Sequence, residues 1–326
     1  MRFFITGIGG FAGTHLAEHL LASGDDVSGC VTSRPDRPSL RALAARHSRF
    51  DPARLAVLDV TDRRALERAL SASVPDGIFH LAGVAFAPRA ERDPAHALVV
   101  NVVGTAHLLA AAEAAVPRAR VVVVGSADAY GAVEADDLPI VERTPLRPVN
   151  VYGVSKAAAD MVAFQRWWTS EAPVIRVRSF NHTGPGQSPD FVCSDFARQV
   201  ARIEAGLAPP LLRVGNLRAT RDFSDVRDVV RGYRLLWECG EAGEAYNLCS
   251  GTGTSVATLV ELLAAASERT FECVEEPARL RRREIPCIVG SAARATALGW
   301  APVIPLAETV RDCLQDWRVR LRSNPD

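Results

Sequence analysis

Lysine is nearly missing from this 326-residue chain: Lys156 is the only one, and the other 37 of its 38 basic residues are arginine. Excess charge is missing too, because 38 acidic residues balance the 38 basic ones. A nucleic-acid binder needs a marked basic surplus, so that class of partner is excluded. The seven cysteines stand singly, without a CxxC pair, and the seven histidines show no HExxH spacing. Neither a metal site nor a disulfide framework is expected from them, and reduced thiols suit the cytoplasm. No apolar run reaches the ~20 residues of a membrane-spanning helix. Met1-Arg2-Phe3-Phe4-Ile5 leads straight into glycines and not into a signal-peptide pattern, so no membrane partner is expected. What is present is ordinary globular material, 48% hydrophobic and 23% charged, long enough for one large core or two smaller ones.

Short apolar runs at 2–6, 26–32, 54–58, 77–81 and 119–124 alternate with segments of helical periodicity at 13–23, 37–47, 61–73 and 93–115. Strand then helix, repeated, builds a parallel sheet covered on both faces. Val121 to Val124 read as a doubly buried strand, followed by a helix at 151–171 and a strand at 173–179. Beyond Phe180 the texture changes. Residues 181–190 are rich in Gly, Pro, Ser and Asn and read as a loop. A helix at 191–205, strands near 211–214, 245–249 and 271–274, a helix opening at Asp225 and a mostly helical stretch over 255–322 complete the chain. The expected fold class is α/β, a doubly wound parallel sheet with a smaller, discontinuous C-terminal lobe. Residues 1–180 and 225–250 would form the first part, and residues 181–224 and 251–326 the second.

Between the first strand and the first helix, Gly7, Gly10 and Gly13 give G-x-x-G-x-x-G. In that context the first glycine allows a tight turn, the second a close approach to a pyrophosphate, and the third helix-on-strand packing, as in a Rossmann dinucleotide site. Gly9, Phe11 and Ala12 complete the cradle, and the helix N-terminus offers free N–H groups to phosphate. The end of the second strand separates the two nicotinamide cofactors: a carboxylate there binds a ribose 2′-hydroxyl, a cation a 2′-phosphate. Thr32-Ser33-Arg34 has no acid before Asp36, so NADP(H) is favoured over NAD(H). Asp59 and Val60, ending the third strand, suit the adenine amino group. Leu81-Ala82-Gly83, ending the fourth, turns small residues toward the nicotinamide.

Tyr152-Gly153-Val154-Ser155-Lys156 opens the long helix, and residues four apart share a helix face. An ammonium beside a phenol stabilises the phenolate and lowers its pKa, which makes Lys156 and Tyr152 an acid–base pair. Ser126, at the end of the valine-rich strand, supplies a hydroxyl where open α/β sheets place their ligands, and Asp128 follows it. With Thr6-Gly7 to Gly13, Asp59, Asn101, Ser126 and Tyr152-x-x-x-Lys156 in place, the chain resembles the extended short-chain dehydrogenase/reductase family over essentially its whole length. That resemblance implies a Ser126–Tyr152–Lys156 catalytic triad, with Asn101 supporting the lysine through a water. It also implies a homodimer joined by a four-helix bundle of the 93–115 and 151–171 helices and their two-fold mates.

Within that family, Phe180 to Gln187, the 191–203 helix, Val214 to Leu217, Arg221 to Asp228 and Leu280-Arg281 with Glu284 look like the branch acting on GDP-linked sugars. The likeness implies that Asn181 and the loop to Gln187 hold the sugar diphosphate. Val192, Phe196, Asn216 and Leu217 would line the nucleotide pocket, Arg221 and Arg281 pair with phosphates, and Glu284 bind a ribose hydroxyl. Arginine suits phosphate because its planar fork makes two hydrogen bonds. The implied reaction is reduction of the C4 ketone of a GDP-4-keto-6-deoxy-hexose, forming GDP-D-rhamnose. Alternatives are 4,6-dehydration of GDP-mannose, in which Asp128 would take the place of a catalytic Glu, and 4-epimerisation. A non-catalytic cofactor sensor is disfavoured because Tyr152 and Lys156 are both present. His80, His182, Trp167 and Trp168 read as structural residues.

Overall fold

The valine run forms β5 (Arg120–Val124), an interior strand of a seven-stranded sheet in which every pairing is parallel. The computed structural model describes residues 1–33, 37–280 and 285–323. Besides β5, the sheet contains β1 (Arg2–Thr6), β2 (Asp26–Val31), β3 (Ala56–Val57), β4 (Gly77–His80), β6 (Val174–Ser179) and β10 (Ala245–Leu248). Their order is β3-β2-β1-β4-β5-β6-β10, so the winding reverses between β1 and β4. That switch point opens a crevice at the carboxyl ends of the strands, where ligands bind in such sheets.

Helices α1 (Phe11–Ala22), α2 (Pro38–Arg46), α3 (Arg63–Ser73), α4 (Ala87–Arg92), α5 (Pro94–Leu98), α6 (Gly104–Ala115) and α7 (Val151–Ser170) precede β6. Alternation along β1 sends Phe3 and Ile5 to one face and Phe4 to the other. Phe3 and Ile5 pack with Leu16 and Leu20 of α1 and with Val229 and Tyr233 of α9 (Val226–Cys239). Phe4 packs with Leu66 and Leu70 of α3 and Leu108 of α6. A further core unites Phe196 and Val200 of α8 (Val192–Glu204), Leu259 of α10 (Val256–Ala266) and Val310 and Leu314 of α12 (Leu306–Ser323). It lies on Phe223 of β9 (Thr220–Asp225), which pairs with β7 (Asn181–Thr183), β11 (Gly253–Ser255) and β13 (Cys287–Ile288). A pair of strands, β8 (Leu211–Val214) and β12 (Glu272–Glu275), and the short α11 (Ala293–Ala297) complete the described elements.

Four expectations need correction. Residues 181–183 are strand and not loop, because β7 finds a parallel partner in β9 before Gly184-Pro185 ends it. The third strand shrinks to Ala56–Val57, since only β2 pairs with it and Val57 faces out. The 93–115 helix is interrupted by a π-helical turn over Val99–Val103, which keeps the apolar composition and so leaves no trace in the periodicity. Lastly, Pro94–Ala115 is long and apolar enough to span a membrane, contrary to the expectation for the whole chain. Its apolarity is that of a helix covered on two sides, by α3 and by α7, with Leu98, Val99 and Val103 left exposed.

Candidate active site

Gly7 turns the chain out of β1 with φ +71, and a Cβ on it would stand 2.9 Å from the backbone of Ala82. A Cβ on Gly13 would strike the Gly7 carbonyl. Only glycine lets the β1–α1 turn, the start of α1 and the strand end at Ala82 meet this closely. Gly10 caps α1 without any side-chain hydrogen bond, leaving the first-turn N–H groups of Phe11, Ala12 and Gly13 aimed out of the helix. Uncapped N–H groups beside a glycine cradle fit a dinucleotide pyrophosphate. Thr32 and Ser33 follow β2 directly, whereas Arg34 lies outside the described residues. Asp59 is exposed and accepts both the N–H and the O–H of Thr61 at 2.8 Å, and Val60 beside it is buried against Gly104.

A chain of buried hydrogen bonds ties β1, β4 and α6 together beneath the crevice. Thr105 Oγ1 donates to Asn101 O at 2.6 Å, so it must accept from His80 Nε2–H at 3.0 Å. His80 Nδ1 then accepts the Thr6 hydroxyl at 2.8 Å, and Thr6 Oγ1 accepts the Ala82 N–H at 3.1 Å. Burial, helped by the charge of Lys156, pushes the His80 pKa down to about 3. A neutral imidazole with both nitrogens engaged is a structural post, as its sequence context suggested.

The π turn presents Asn101 inward, and such turns recur at functional sites. Its Oδ1 accepts the Val84 N–H at 2.7 Å, while Nδ2 donates to Val84 O at 3.1 Å and to Ser155 Oγ at 2.8 Å. Ser155 Oγ in turn donates to Tyr152 O at 2.7 Å. Gly83 lies against the same amide, where its Cβ would be 2.8 Å from Asn101 Oδ1. The partners of the Asn101 side chain are thus Val84 and Ser155; it registers the turn after Leu81-Ala82-Gly83 against the first turn of α7.

Asn150 caps α7 by accepting the Gly153 N–H at 2.7 Å, and its Nδ2 reaches Asp128 Oδ2 at 3.4 Å. This start sets Tyr152 beside Ser126, whose Oγ accepts the Asp128 N–H at 3.1 Å. The phenol's acidity runs against the expectation from spacing. Burial first, and then the Asp128 carboxylate, push the Tyr152 pKa above the ordinary tyrosine value, with the Ser126 hydrogen bond opposing them. Lys156 shares the helix face but donates to Val124 O at 2.9 Å, and burial lowers its own pKa to about 8. The site therefore holds a protonated phenol beside a serine hydroxyl.

The C-terminal candidates spread over several elements. Asn181 and Arg221 lie on the adjacent strands β7 and β9, and Arg221 donates to Thr220 O at 2.8 Å. Gln187 is buried and holds the shape of its loop, accepting from Thr183 Oγ1 at 2.6 Å and donating to His182 O at 2.9 Å. Phe196 belongs to the C-terminal core, with Val192 and Leu217 packed at its margin. Asn216 Oδ1 accepts the Arg218 N–H at 3.0 Å. Arg281 and Glu284 lie outside the described residues. Sequence reading missed Phe11 as a contact between α1 and β7: its ring stacks on His182, with centroids 6.1 Å apart, and meets His15 edge-on. It also missed Arg37, whose guanidinium donates to Gly9 O at 3.3 Å; the residue stood out only as the start of a helix.

A parallel sheet with a glycine turn after β1, a serine ending β5 and a Tyr-x-x-x-Lys opening α7 define an extended short-chain dehydrogenase/reductase. Residues 4–313 match the model of the GDP-mannose 4,6 dehydratase family, and the chain belongs to that family. It is 38% identical to GDP-6-deoxy-D-mannose reductase of Pseudomonas aeruginosa, covering 98% of both chains. It is 27% identical to GDP-mannose 4,6-dehydratase of Sinorhizobium fredii, over 91% of this chain and 90% of that one. Among solved structures, RMD from Pseudomonas aeruginosa complexed with NADPH superposes with a TM-score of 0.85 at 36% identity, covering 98% of this chain and 99% of the other.

Proposed function

We propose that this chain reduces the C4 ketone of a GDP-4-keto-6-deoxy-hexose, forming GDP-D-rhamnose, with NADPH as the reductant. The observation that carries the reading is the half-buried Tyr152 phenol, kept protonated by burial and the Asp128 carboxylate and set beside Ser126. Reduction of a ketone needs a proton donor at the carbonyl oxygen, and a phenol with a raised pKa arrives carrying that proton. Ser126 hydrogen-bonds the same oxygen as charge develops on it. Lys156, which donates to Val124 O, and Asn101, which holds the backbone of Val84, would serve the nicotinamide side of the site.

Gly7, Gly9, Gly10, Phe11, Ala12 and Gly13 would hold the pyrophosphate, Thr32, Ser33 and Arg34 the 2′-phosphate, and Asp59 and Val60 the adenine. Leu81, Ala82 and Gly83 would flank the nicotinamide, which when bound supplies a hydride. On the substrate side, Asn181, Val192, Phe196, Asn216, Leu217, Arg221, Arg281 and Glu284 would serve the GDP-sugar, with Gln187 shaping the loop after β7. Cofactor and substrate would thus bind to the two lobes divided at residues 180/181, 224/225 and 250/251. The reductase name and the NADPH complex of the Pseudomonas aeruginosa relatives support this assignment. A cytoplasmic homodimer through α5–α6 and α7 completes the reading.

One observation favours a second reaction. Asp128 acts electrostatically on Tyr152, and a carboxylate there could serve the proton removal that 4,6-dehydration requires. Incubation with GDP-4-keto-6-deoxymannose and NADPH, with the product identified by NMR, tests the first reading. Conversion of GDP-mannose to its 4-keto-6-deoxy product, without net consumption of NADPH, would establish the second instead.

A further inference from the structure

Resting on the reading of the substrate as a 4-keto-6-deoxy sugar, we infer that Phe86 and Phe191 are specificity-determining residues that together read its C6 methyl group. Phe86 stands at the N-cap of α4 and Phe191 at the N-cap of α8. Helix starts favour Ser, Thr, Asp or Asn there, because a side-chain oxygen takes up a first-turn N–H. Neither phenylalanine supplies one, so both positions give up local helix stability. Instead the two rings meet edge to face, with centroids 5.8 Å apart and planes at 66°. Both are half-buried, and among the described residues neither belongs to a hydrophobic core. A residue that breaks a local rule without joining a core answers a functional demand.

The contact joins the segment after β4 to the start of α8. On the first side, Asn101 fixes the backbone of Val84, and Val84 packs against Tyr152 two residues before Phe86. On the second, Phe191 precedes Val192, which the reading above gives to the nucleotide. A C4 ketone must reach the Tyr152 hydroxyl, while the diphosphate on C1 lies across the sugar ring from it. C6 hangs from C5, the ring atom next to C4, so it falls beside Tyr152. A 4-keto-6-deoxy-hexose carries hydroxyls at C2 and C3 and one apolar substituent, the C6 methyl. Ser126 and Asp128 make one side of Tyr152 polar. Val84, with Phe86 and Phe191 beyond it, makes the other apolar. The methyl group matches the apolar side, and a 6-hydroxyl there would lose water without gaining a hydrogen bond.

Calorimetry on the full chain with NADPH present compares GDP, GDP-mannose and GDP-6-deoxymannose as titrants. The last two differ only in the C6 hydroxyl, and neither offers a ketone to reduce. Wild type should bind GDP-6-deoxymannose about tenfold to a hundredfold more tightly than GDP-mannose, the range open to an apolar wall that meets an added hydroxyl. Phe86→Ser and Phe191→Ser should each shrink that preference to less than about threefold and leave GDP within about twofold of wild type. Phe86→Leu, which stays apolar, should keep most of the preference. Serine is the better helix cap, and a far-ultraviolet spectrum and melting curve close to wild type show that the variants fold. A wild type without the preference overturns the inference, and so does a preference unchanged in both serine variants. Equal weakening of GDP and the two GDP-sugars overturns it as well, because the pair would then serve the nucleotide. A wild type that does not reduce GDP-4-keto-6-deoxymannose with NADPH overturns the reductase reading beneath it, whatever the two affinities.

Discussion

Arg178 of β6 grips Asp160 of α7 with two hydrogen bonds, Nε to Oδ2 at 2.9 Å and Nη2 to Oδ1 at 3.0 Å, and both side chains are buried. Asp160 lies one helical turn beyond Lys156 and two beyond Tyr152, so this pair fixes the face that carries the acid–base groups. Arg176 adds a contact to Asp160 at 2.6 Å, and Arg178 continues to Tyr130 at 3.0 Å, on the segment after Ser126. Burial alone would raise the Asp160 carboxyl, but the hydrogen bonds and charges of Arg178 and Arg176 hold it below the ordinary range.

Asp160→Asn leaves the buried Arg178 and the partly buried Arg176 without a counter-charge and should cost about 3–5 kcal/mol of stability, read as a lower urea midpoint at pH 7. Because the folded pKa is depressed, the contribution of Asp160 is present above the unfolded value of about 3.9 and disappears as pH falls through the folded one. The gap between wild type and variant should therefore narrow in acid. A gap that stays constant down to the acid transition would show that the carboxylate is not what holds α7 to β6.

Tyr152→Phe removes the proton donor with little change of shape, and ketone reduction should fall by at least ~10²-fold. Asp128→Asn removes the carboxylate that raises the phenol, so the alkaline limb of the reduction profile should move to lower pH. Stopped-flow measurement of NADPH oxidation across pH reads both. Near-wild-type turnover in the Phe variant would remove Tyr152 from the chemistry.

Having a single lysine makes Lys156 directly observable. After reductive methylation with labelled formaldehyde, the enzyme should give one lysine resonance, titrating near the depressed value of about 8 instead of the usual ~10.4. Between those values the unfolded chain binds the extra proton, so Lys156 makes the fold more stable as pH rises through that window. Titration at the ordinary value would mean that the ammonium is solvated.

Much of this arrangement was legible in the residues, and the exceptions have physical causes. β1, β5 and α7 announced themselves because a buried parallel strand is continuously apolar and a helix repeats every 3.6 residues. The Ser126, Tyr152 and Lys156 positions followed from strand end and helix start. The π turn at Asn101 was hidden because Val-Val-Asn-Val-Val is apolar in either register. Residues 181–183 look like loop because their strand exists only through pairing with a partner some forty residues on. The direction of the Tyr152 shift could not be read from spacing. A shared helix face puts Lys156 near the phenol, but only the folded chain gives the ammonium to Val124 O and sets Asp128 beside the hydroxyl.

Assembly is testable on an exposed apolar face. Val154, Met161, Phe164 and Trp168 lie along one side of α7, and Leu98, Val99 and Val103 are exposed at the junction of α5 and α6. Such a patch is unusual for a monomer and suits a two-fold, self-complementary interface. Wild type should run as a dimer in light scattering at micromolar concentration, and Met161→Glu should shift it toward monomer. A monomeric wild type would end the four-helix-bundle reading.

Substitution of Arg221 tests whether nucleotide and cofactor occupy separate sites. Arg221 lies on β9, one strand from Asn181 and outside the seven-stranded sheet, while the cofactor's pyrophosphate belongs over Gly7 to Gly13. Loss of a charged partner from a bound diphosphate costs about 2–5 kcal/mol. Arg221→Ala should therefore weaken GDP, a fragment without the sugar, about as much as it weakens the whole GDP-sugar. NADPH affinity should remain at the wild-type value. Calorimetry with GDP and with NADPH reads the two sites independently, because each ligand binds without chemistry. Intact GDP binding with weakened NADPH binding would move Arg221 to the cofactor site, and the division of ligands between the two lobes would fall with it.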